Sequence, residues 1–298
     1  MMKILNLIIL LLLSNSVLSQ KKNKKNIYPH STSAEQRLKG YNDRLNLNSK
    51  SIVKNISFRN IGPTVMSGRV VDLDINPDDP SHFYVAYASG GLWETKNHGN
   101  SFVSLFDNQM VMTIGDIKVD WQNDIIYVGS GENNSSRSSY SGNGIYKSVD
   151  NGKSWDNIGL QESHHIGRII IHPQNPDIIW VASLGHLYSS SNERGVYKSL
   201  DGGLTWTNKL YVNDYTGAID LVIDENNPEI LYASMWEKDR KAWNFDGSGI
   251  GSGIYKSIDG GENWKKVLGG GKWTGVTDIH MDPRNPDRIY AATWQRHR

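Results

Sequence analysis

The sequence predicts an all-β fold made of four-stranded antiparallel sheets, and three observations support this prediction. An octet recurs as Ser148-Val-Asp-Asn-Gly-Lys-Ser-Trp155, Ser199-Leu-Asp-Gly-Gly-Leu-Thr-Trp206 and Ser257-Ile-Asp-Gly-Gly-Glu-Asn-Trp264. A Gly–apolar–aromatic–charged tetrapeptide precedes each copy, and short apolar runs that contain Tyr or Trp lie upstream. Repeats of about fifty residues built from short aromatic and β-branched strands are typical of the blades of a β-propeller.

Each octet is predicted to form the turn between the third and fourth strands of a blade, which we call an Asp-box. Its Ser and Asp side chains can bond nearby backbone amides, its Gly at the fifth position supplies a positive φ, and its Trp packs under the turn. The predicted structural residues are Asp150, Gly152, Trp155, Asp201, Gly203, Trp206, Asp259, Gly261 and Trp264. One carboxylate per turn is too few for a calcium site, so the Asp-boxes indicate a fold and no metal.

The repeats divide the chain into about four and a half blades. Complete blades are predicted at 65–106, 113–158, 166–211 and 217–268, and a fifth begins at Gly275 and stops after two strands. An unclosed propeller leaves strand edges exposed. We therefore expect 56–298 to be the N-terminal part of a longer propeller, with further blades downstream.

The N-terminal region is predicted to be an export signal followed by a spacer. Residues 1–19 combine Lys3 with an apolar run of ten residues, shorter than the roughly twenty that span a bilayer, which indicates a signal peptide, with a signal anchor as the alternative. Residues 20–55 are predicted to be a polar, basic spacer with a short helix over 34–45. We expect a secreted or periplasmic bacterial protein without a transmembrane segment in its mature chain.

Composition excludes several classes of function. The formal net charge is only +1, so nothing in the overall charge favours binding to nucleic acid or to an anionic membrane. The chain has no Cys, which excludes disulfides, thiolate nucleophiles and Cys-ligated metals. We predict no cofactor and no metal.

Several motifs resemble a family of bacterial exported propellers that carry a sortilin N-terminal-like domain with sialidase-type Asp-box (BNR) repeats. They are Arg59-Asn-Ile-Gly-Pro63, Ser67-Gly-Arg-Val70, Ala88-Ser-Gly-Gly-Leu-Trp93, Gly129-Ser-Gly-Glu-Asn133 and His165-Ile-Gly-Arg168. The resemblance covers about 56–298 and implies a fold similar to that of sortilins, which bind peptides, and of xyloglucanases, which cleave β-glucans. It also implies that Ala88 stands where a xyloglucanase has a catalytic aspartate, so the glycosidase pair is incomplete here.

The predicted working face is the rim opposite the Asp-boxes, which we call the top rim. The loop over 235–252 places Trp236 and Trp243 there, where they could stack on a ligand or pack on a neighbouring blade. Arg69, Asp116 and Arg168 begin first strands at the mouth of the channel, where the arginines could bind an anionic ligand or all three could pair with one another.

These features predict a module that binds a peptide or carbohydrate ligand. The alternative is a glycoside hydrolase, xyloglucanase-like or sialidase-like, whose catalytic complement lies elsewhere. For that alternative the candidate acids are Asp116 and Glu132, because glycosidases work with two carboxyl groups about 5–9.5 Å apart. Binding is the favoured prediction.

Overall fold

The structure is a computed structural model that describes residues 31–56, 68–269 and 271–295. The predicted signal peptide (1–19), the basic residues 20–30 and the motif at 59–63 lie outside the described residues. Within the range predicted as a spacer, helix α1 spans Ala34–Lys50, five residues longer than the predicted helix, and Ser33 caps it by accepting a hydrogen bond from the backbone N–H of Gln36. No helix of the described residues is long and apolar enough to cross a membrane.

Four consecutive antiparallel sheets of four strands follow the helix. The first blade contains β1 (Val70–Ile75), β2 (Phe83–Tyr87), β3 (Gly91–Thr95) and β4 (Val103–Ser104). The second contains β5 (Ile114–Asp120), β6 (Ile125–Ser130), β7 (Ile145–Ser148) and β8 (Asp156–Asn157). The third, after a 3-10 turn at Gln161–Ser163, contains β9 (Ile166–His172), β10 (Asn175–Ser183), β11 (Gly195–Ser199) and β12 (Thr207–Leu210).

The fourth blade and the start of a fifth complete the described architecture. The fourth contains β13 (Thr216–Ile223), β14 (Leu231–Glu237), β17 (Gly253–Ser257) and β18 (Lys265–Gly269). The hairpin of β15 (Asp239–Arg240) and β16 (Phe245–Asp246) lies in the loop between β14 and β17. The fifth contains β19 (Gly275–Asp282) and β20 (Asn285–Trp294).

First strands of successive blades lie next to one another. β1 contacts β5, β5 contacts β9, β9 contacts β13 and β13 contacts β19. Hydrophobic clusters cross the same boundaries: Leu92 of the first blade packs with Ile117 and Val128 of the second. This is the arrangement of a propeller, in which first strands line the channel and apolar residues fill the space between blades. The predicted all-β propeller with four complete blades and part of a fifth is confirmed.

The Asp-boxes and the long loops lie at opposite ends of the strands. In the fourth blade, the loop from β14 leads into β17 at Gly253, and the Asp-box leaves β17 at its other end, after Ser257. The second and third blades have the same order. The predicted separation between a top rim of long loops and a rim of Asp-boxes is therefore correct.

The Asp-box turns are held by the hydrogen bonds expected from their sequence. The Ser148 hydroxyl donates to Asp150 over 2.8 Å and accepts the backbone N–H of Gly152, whose φ is +80°. The hydroxyl and backbone N–H of Ser154 both donate to Asp150 and lower the pKa of its carboxyl to about 2. The other two boxes repeat this pattern, with the pKa of Asp201 and of Asp259 also lowered to about 2.

Side chains in and directly before the Asp-boxes also join one blade to the next. Trp206 donates its indole N–H to the carbonyl of Ile158 in the preceding blade over 2.8 Å. Lys198 donates to the carbonyl of Gly260 in the following blade over 2.7 Å. The octets therefore fix blade-to-blade packing as well as the local turn.

Candidate functional site

Five first-strand residues occupy equivalent positions at the centre of the blades. Each first strand contains a register shift, and the residue after it pairs with the second strand: Asp72 with Ala86, Asp116 with Gly129, Arg168 with Ala182, Asp220 with Ser234 and Asp278 with Ala292. A β-bulge of this kind changes which residue of a strand is presented to one side. We call these residues the post-bulge ring; four of them are aspartates and one is an arginine.

Arg168 is the centre of the ion pairs in the post-bulge ring. Its guanidinium lies 3.0 Å from Asp116 and 2.7 Å from Asp220, with Asp72 at 3.9 Å. These carboxylates raise the pKa of Arg168, Asp116 most strongly. The arginine therefore remains charged and compensates carboxylates from three other blades.

The carboxylates also tie neighbouring first strands together. Asp116 accepts the backbone N–H of Ile169 over 2.6 Å, and Asp220 accepts that of Ile279 over 3.1 Å. Burial raises the pKa of both carboxyls, that of Asp116 well above its usual value, against the opposing effect of Arg168. The post-bulge ring thus connects the blades at the channel.

Each of Arg69, Asp116 and Arg168 directly follows a glycine at the start of a first strand. Matching the blades by this glycine predicts only part of the post-bulge ring. It paired Asp116 and Arg168 as found, but set Arg69 beside them, whereas Arg69 binds the carboxylate of Glu132, its Nε lying 2.9 Å from Oε1. Asp72, Asp220 and Asp278 were missed because the bulge falls at a different distance from the glycine in different blades. Their recurrence three or four residues after a glycine was the available signal.

The two candidate acids, Asp116 and Glu132, are both held in ion pairs. Asp116 is 2% exposed, and its two oxygens bind Arg168 and the Ile169 amide. Glu132 is also buried, and its Oε1 accepts from Arg69. Neither arrangement presents a proton or a nucleophilic oxygen to a ligand in the manner of a glycosidase pair.

A cavity of about 680 Å³ opens above the post-bulge ring, at the top rim. Its lining comes from the loop after β6, from first strands and from the β15–β16 hairpin, and includes Ser135, Arg168, Trp236, Arg240, Phe245 and Asp278. Polar and charged residues make up more than half of this lining, and Trp236 and Phe245 add apolar surface. We call it the upper cavity.

The two tryptophans predicted to stack on a ligand have different environments. Trp236 is only 3% exposed; its indole N–H donates to the carbonyl of Gly247 over 2.8 Å, and its ring packs edge-on against Phe245. It forms part of the wall and has no exposed face for stacking, which corrects the prediction for this residue. Trp243, at the tip of the hairpin, is 82% exposed.

A second cavity, of about 520 Å³, lies beside the hairpin and combines apolar and charged groups. Tyr215, Ile250 and Trp273 contribute exposed apolar surface, and Glu237 and Lys272 are among its charged residues. The loops after β12 and β18 contribute two of the three apolar groups. Tyr215 and Trp273 were not among the predicted site residues because these loops are short. The aromatic residues in the loops were the available signal.

Exposed aromatic side chains concentrate on the top rim. Among the residues that the structure describes, the exposed ones on top-rim loops are Tyr140, Tyr211, Tyr215, Trp243 and Trp273, with Tyr290 on β20. The exposed apolar residues of the Asp-boxes are aliphatic: Val149, Leu200, Leu204 and Ile258. Exposed aromatics grouped on loops of one face are a feature of binding surfaces.

Helix α1 docks beside a histidine cluster on the same rim. Arg37 donates to the carbonyls of Gly142 and Gln161, and Glu162 accepts the backbone N–H of Ala34. Glu162, His164 and His186 bring ligand atoms within 4.8 Å of one another, the spacing of a metal site. Arg37 lies 3.6 Å from the Glu162 carboxylate and places a positive charge where the cation would bind, so this cluster favours neutral imidazoles over a metal.

We expect the protein to lose stability as the pH falls below the usual histidine range. Burial, together with His186 and Arg37, lowers the pKa of His164 to about 3. A base whose pKa is lowered in the folded state binds fewer protons than in the unfolded state, so acid favours unfolding between the two values. With an unfolded pKa of about 6.5, His164 alone should cost about 2 kcal/mol at about pH 5.

Denaturant unfolding at several pH values measures this effect. His164→Asn removes the titration and keeps a polar side chain at this position. The variant should lose less stability than the wild type over the same pH range. An equal loss in both would show that His164 does not contribute.

Comparisons with solved structures show the fold. The chain is similar to an ancestral GH74 enzyme (20% identity, TM-score 0.55, 75% of this chain and 28% of the other) and to the GH74 enzyme of Niastella koreensis (21%, 0.55, 74% and 34%). It is also similar to the GH74 xyloglucanase of Xanthomonas campestris (17%, 0.52, 78% and 38%). YCF48 bound to D1 peptide matches with a TM-score of only 0.39.

These comparisons agree with the propeller seen in the sheets. Neither a protein-family model nor a curated protein sequence matches the chain. The chain spans between 28% and 38% of the length of these GH74 enzymes, at identities of 17–21%. Similarity at this level shows the fold, and the activity has to be inferred from the residues of the site. The chain thus shares a β-propeller fold with GH74 enzymes.

Proposed function

We propose that this protein is a binding module that captures an extended ligand, a carbohydrate chain or a peptide, on its top rim. The observation that carries the proposal is the concentration of exposed aromatic side chains there, against aliphatic ones on the Asp-boxes. Tyr and Trp rings supply large contact areas that lose little conformational entropy on binding. The smaller cavity, which Tyr215 and Trp273 line, provides room for side groups of the ligand.

A carbohydrate chain is the ligand that the chemistry favours first. Trp243 and Trp273 are both exposed, and the ammonium of Lys272 lies 5.2 Å from the centre of the Trp273 ring. The carboxylate-bearing Glu237 lines the same smaller cavity as Trp273. Stacking surfaces flanked by hydrogen-bonding groups suit the apolar faces and hydroxyls of sugar rings. The xyloglucanase among the structural neighbours supports this choice, and a peptide is the second outcome of the test.

The arginines of the channel have a smaller part in this proposal than their position suggests. Arg168 is engaged by carboxylates and Arg69 by Glu132. An anionic ligand would compete with these partners for the guanidinium groups, and displacing the partners would leave buried carboxylates uncompensated. We therefore assign ligand contact to the exposed aromatics.

The proposal includes an export route and a family. The signal peptide at 1–19 would direct the chain to the bacterial periplasm or medium. An exported protein without Cys is more typical of these compartments than of an animal secretory pathway. The Asp-boxes support membership of the exported sortilin-like BNR propellers, with downstream blades completing the fold. A glycoside hydrolase is not favoured, since Asp116 and Glu132 are both held in ion pairs.

The double variant Trp243→Ala, Trp273→Ala should weaken ligand binding by about 1–3 kcal/mol, the range for removing well-packed aromatic contacts. Binding of the purified protein to a glycan array and to a peptide library identifies the ligand class. Titration of the selected ligand by calorimetry then measures the loss in the variant.

The matched control changes exposed apolar residues on the opposite rim. Leu204→Ala, Ile258→Ala removes comparable exposed side chains from two Asp-boxes. We expect this control to bind like the wild type. Equal weakening by both double variants, or retention of full affinity without the two tryptophans, would refute the assignment of the top rim.

A further inference from the structure

Lys238 is a buried lysine without an acidic partner. It is 2% exposed, and its Nζ lies 2.6 Å from the hydroxyl of Ser135 in the second blade. Two positively charged groups, Arg194 and Arg240, interact electrostatically with Lys238. His165 also interacts electrostatically with Lys238. Ion pairs among the described residues 31–56, 68–269 and 271–295 do not include Lys238.

This environment favours the neutral amine. Burial, and then the two arginines, lower the pKa of Lys238 well below its usual value. A buried ammonium with no carboxylate beside it is costly, and this cost favours the neutral form of the amine. In the structure Nζ donates to the Ser135 hydroxyl oxygen. A neutral Nζ also has a lone pair, and the Ser135 hydroxyl lies within reach to donate its proton to it.

Ser135 itself has a strained and fixed backbone. Its φ is +56°, unusual for a residue with a Cβ. Neighbouring polar groups hold the loop in this form: Asn134 Oδ1 accepts the backbone N–H of Ser136 and the hydroxyl of Ser139 over 3.0 and 2.8 Å. Strain that the surroundings maintain in this way is found at functional sites. Ser135 lines the upper cavity, and Lys238 is not part of that lining.

We propose that Ser135 and Lys238 form a serine–lysine acyl-transfer site that hydrolyses small carboxylic esters in the upper cavity. A serine nucleophile activated by a deprotonated lysine occurs on unrelated folds and is recognised by geometry. The site needs a nucleophile within hydrogen-bond reach of a base and an opening to a cavity. All three features are present, and the activity is independent of ligand capture by the exposed aromatics.

The reaction balances with an ester and water as the only reactants. The Ser135 hydroxyl passes its proton to Lys238 Nζ while Oγ bonds to the ester carbonyl carbon. The bond from that carbon to the alcohol oxygen then breaks, and the alcohol leaves with the proton from Lys238. Water attacks the acyl-serine, Lys238 takes the proton of the water, and Ser135 regains a proton as the carboxylic acid departs.

The lining of the cavity indicates small substrates. Its volume of about 680 Å³ accommodates an acyl group with a modest alcohol. Trp236 and Phe245 supply apolar wall for the substrate, and the guanidinium of Arg240, 4.7 Å from the centre of the Phe245 ring, adds a positive charge to the same lining.

An alkyl fluorophosphonate tests the site directly, because it forms a covalent bond to an activated serine and releases fluoride. We expect one adduct, mapped by peptide mass spectrometry to Ser135, in the folded wild-type protein. Ser135→Ala should abolish the adduct, and Lys238→Met should slow its formation at least about 100-fold, as expected for loss of a general base. Ser138→Ala, in the same loop, is the control that should label normally.

Thermal unfolding separates chemistry from folding. Ser135→Ala removes one hydroxyl and should remain folded, so it decides the result even if Lys238→Met does not fold. Hydrolysis of p-nitrophenyl acetate should fall with the labelling in each folded variant. No adduct in the folded wild type, or an adduct on another serine that survives in Ser135→Ala, would overturn the proposal and leave Lys238 as a structural tether of the loop.

Discussion

Replacing Arg168 with methionine should lower the free energy of unfolding by about 2–4 kcal/mol. The substitution leaves Asp116, which is 2% exposed, and Asp220 without their cation. Removing one partner of a fully buried ion pair costs about 3–5 kcal/mol, and the 37% exposure of the Arg168 side chain lets solvent screen part of that cost. Urea unfolding of the two proteins measures the difference.

The same variant should regain stability in mild acid. Burial raises the pKa of Asp116 and Asp220, and loss of Arg168 raises both further. Acids whose pKa is raised in the folded state bind more protons there, so stability increases as pH falls toward their unfolded values. The deficit of the variant should shrink from about pH 8 to about pH 5. A deficit that is constant with pH would contradict this role for the post-bulge ring.

Gly167→Ala should destabilise the protein by about 3 kcal/mol, the upper part of the range for overpacking. Gly167 precedes Arg168 in β9, and a Cβ there would lie 2.1 Å from the backbone carbonyl oxygen of Ile219 in β13. Because the obstacle is backbone, the two blades must move apart or the first strand must distort. Thermal and urea unfolding give the change.

Gly40→Ala is the matched control for that substitution. Gly40 lies in α1, and a Cβ there meets nothing within 4 Å. Alanine is the better helix former, so this variant should gain about 0.5–1 kcal/mol where Gly167→Ala loses stability. A similar change in stability in both variants would show that the close approach of first strands is not the reason for glycine at position 167.

The architecture was largely predictable because its signals are local and repeated. Each Asp-box turn depends on hydrogen bonds over four residues, from Ser148 to Gly152 for example, so its sequence pattern is short and strong. The Gly-apolar-aromatic-charged strand before it fixes the third strand in the same way. The predicted helix ended five residues too early because the residues it omitted include Asn46, Asn48 and Ser49, which are weak helix formers.

The site was less predictable because it depends on register and on contacts between blades. A bulge before Asp220 changes which residue is presented at the channel, and the distance from the first-strand glycine to the bulge differs between blades. Burial of Trp236 depends on Gly247 and Phe245 of the hairpin it precedes. Pairing of Ser135 with Lys238 joins residues 103 positions apart, which local patterns do not reveal.

Hydrogen–deuterium exchange with and without the array-selected ligand tests the central claim most directly. If the top rim binds the ligand, backbone amides in the loops over 131–143, 238–252 and 271–274 should become protected. The Asp-box turns at 148–155, 199–206 and 257–264 should exchange as before. Protection of the Asp-box turns with no change in the top-rim loops would contradict the account.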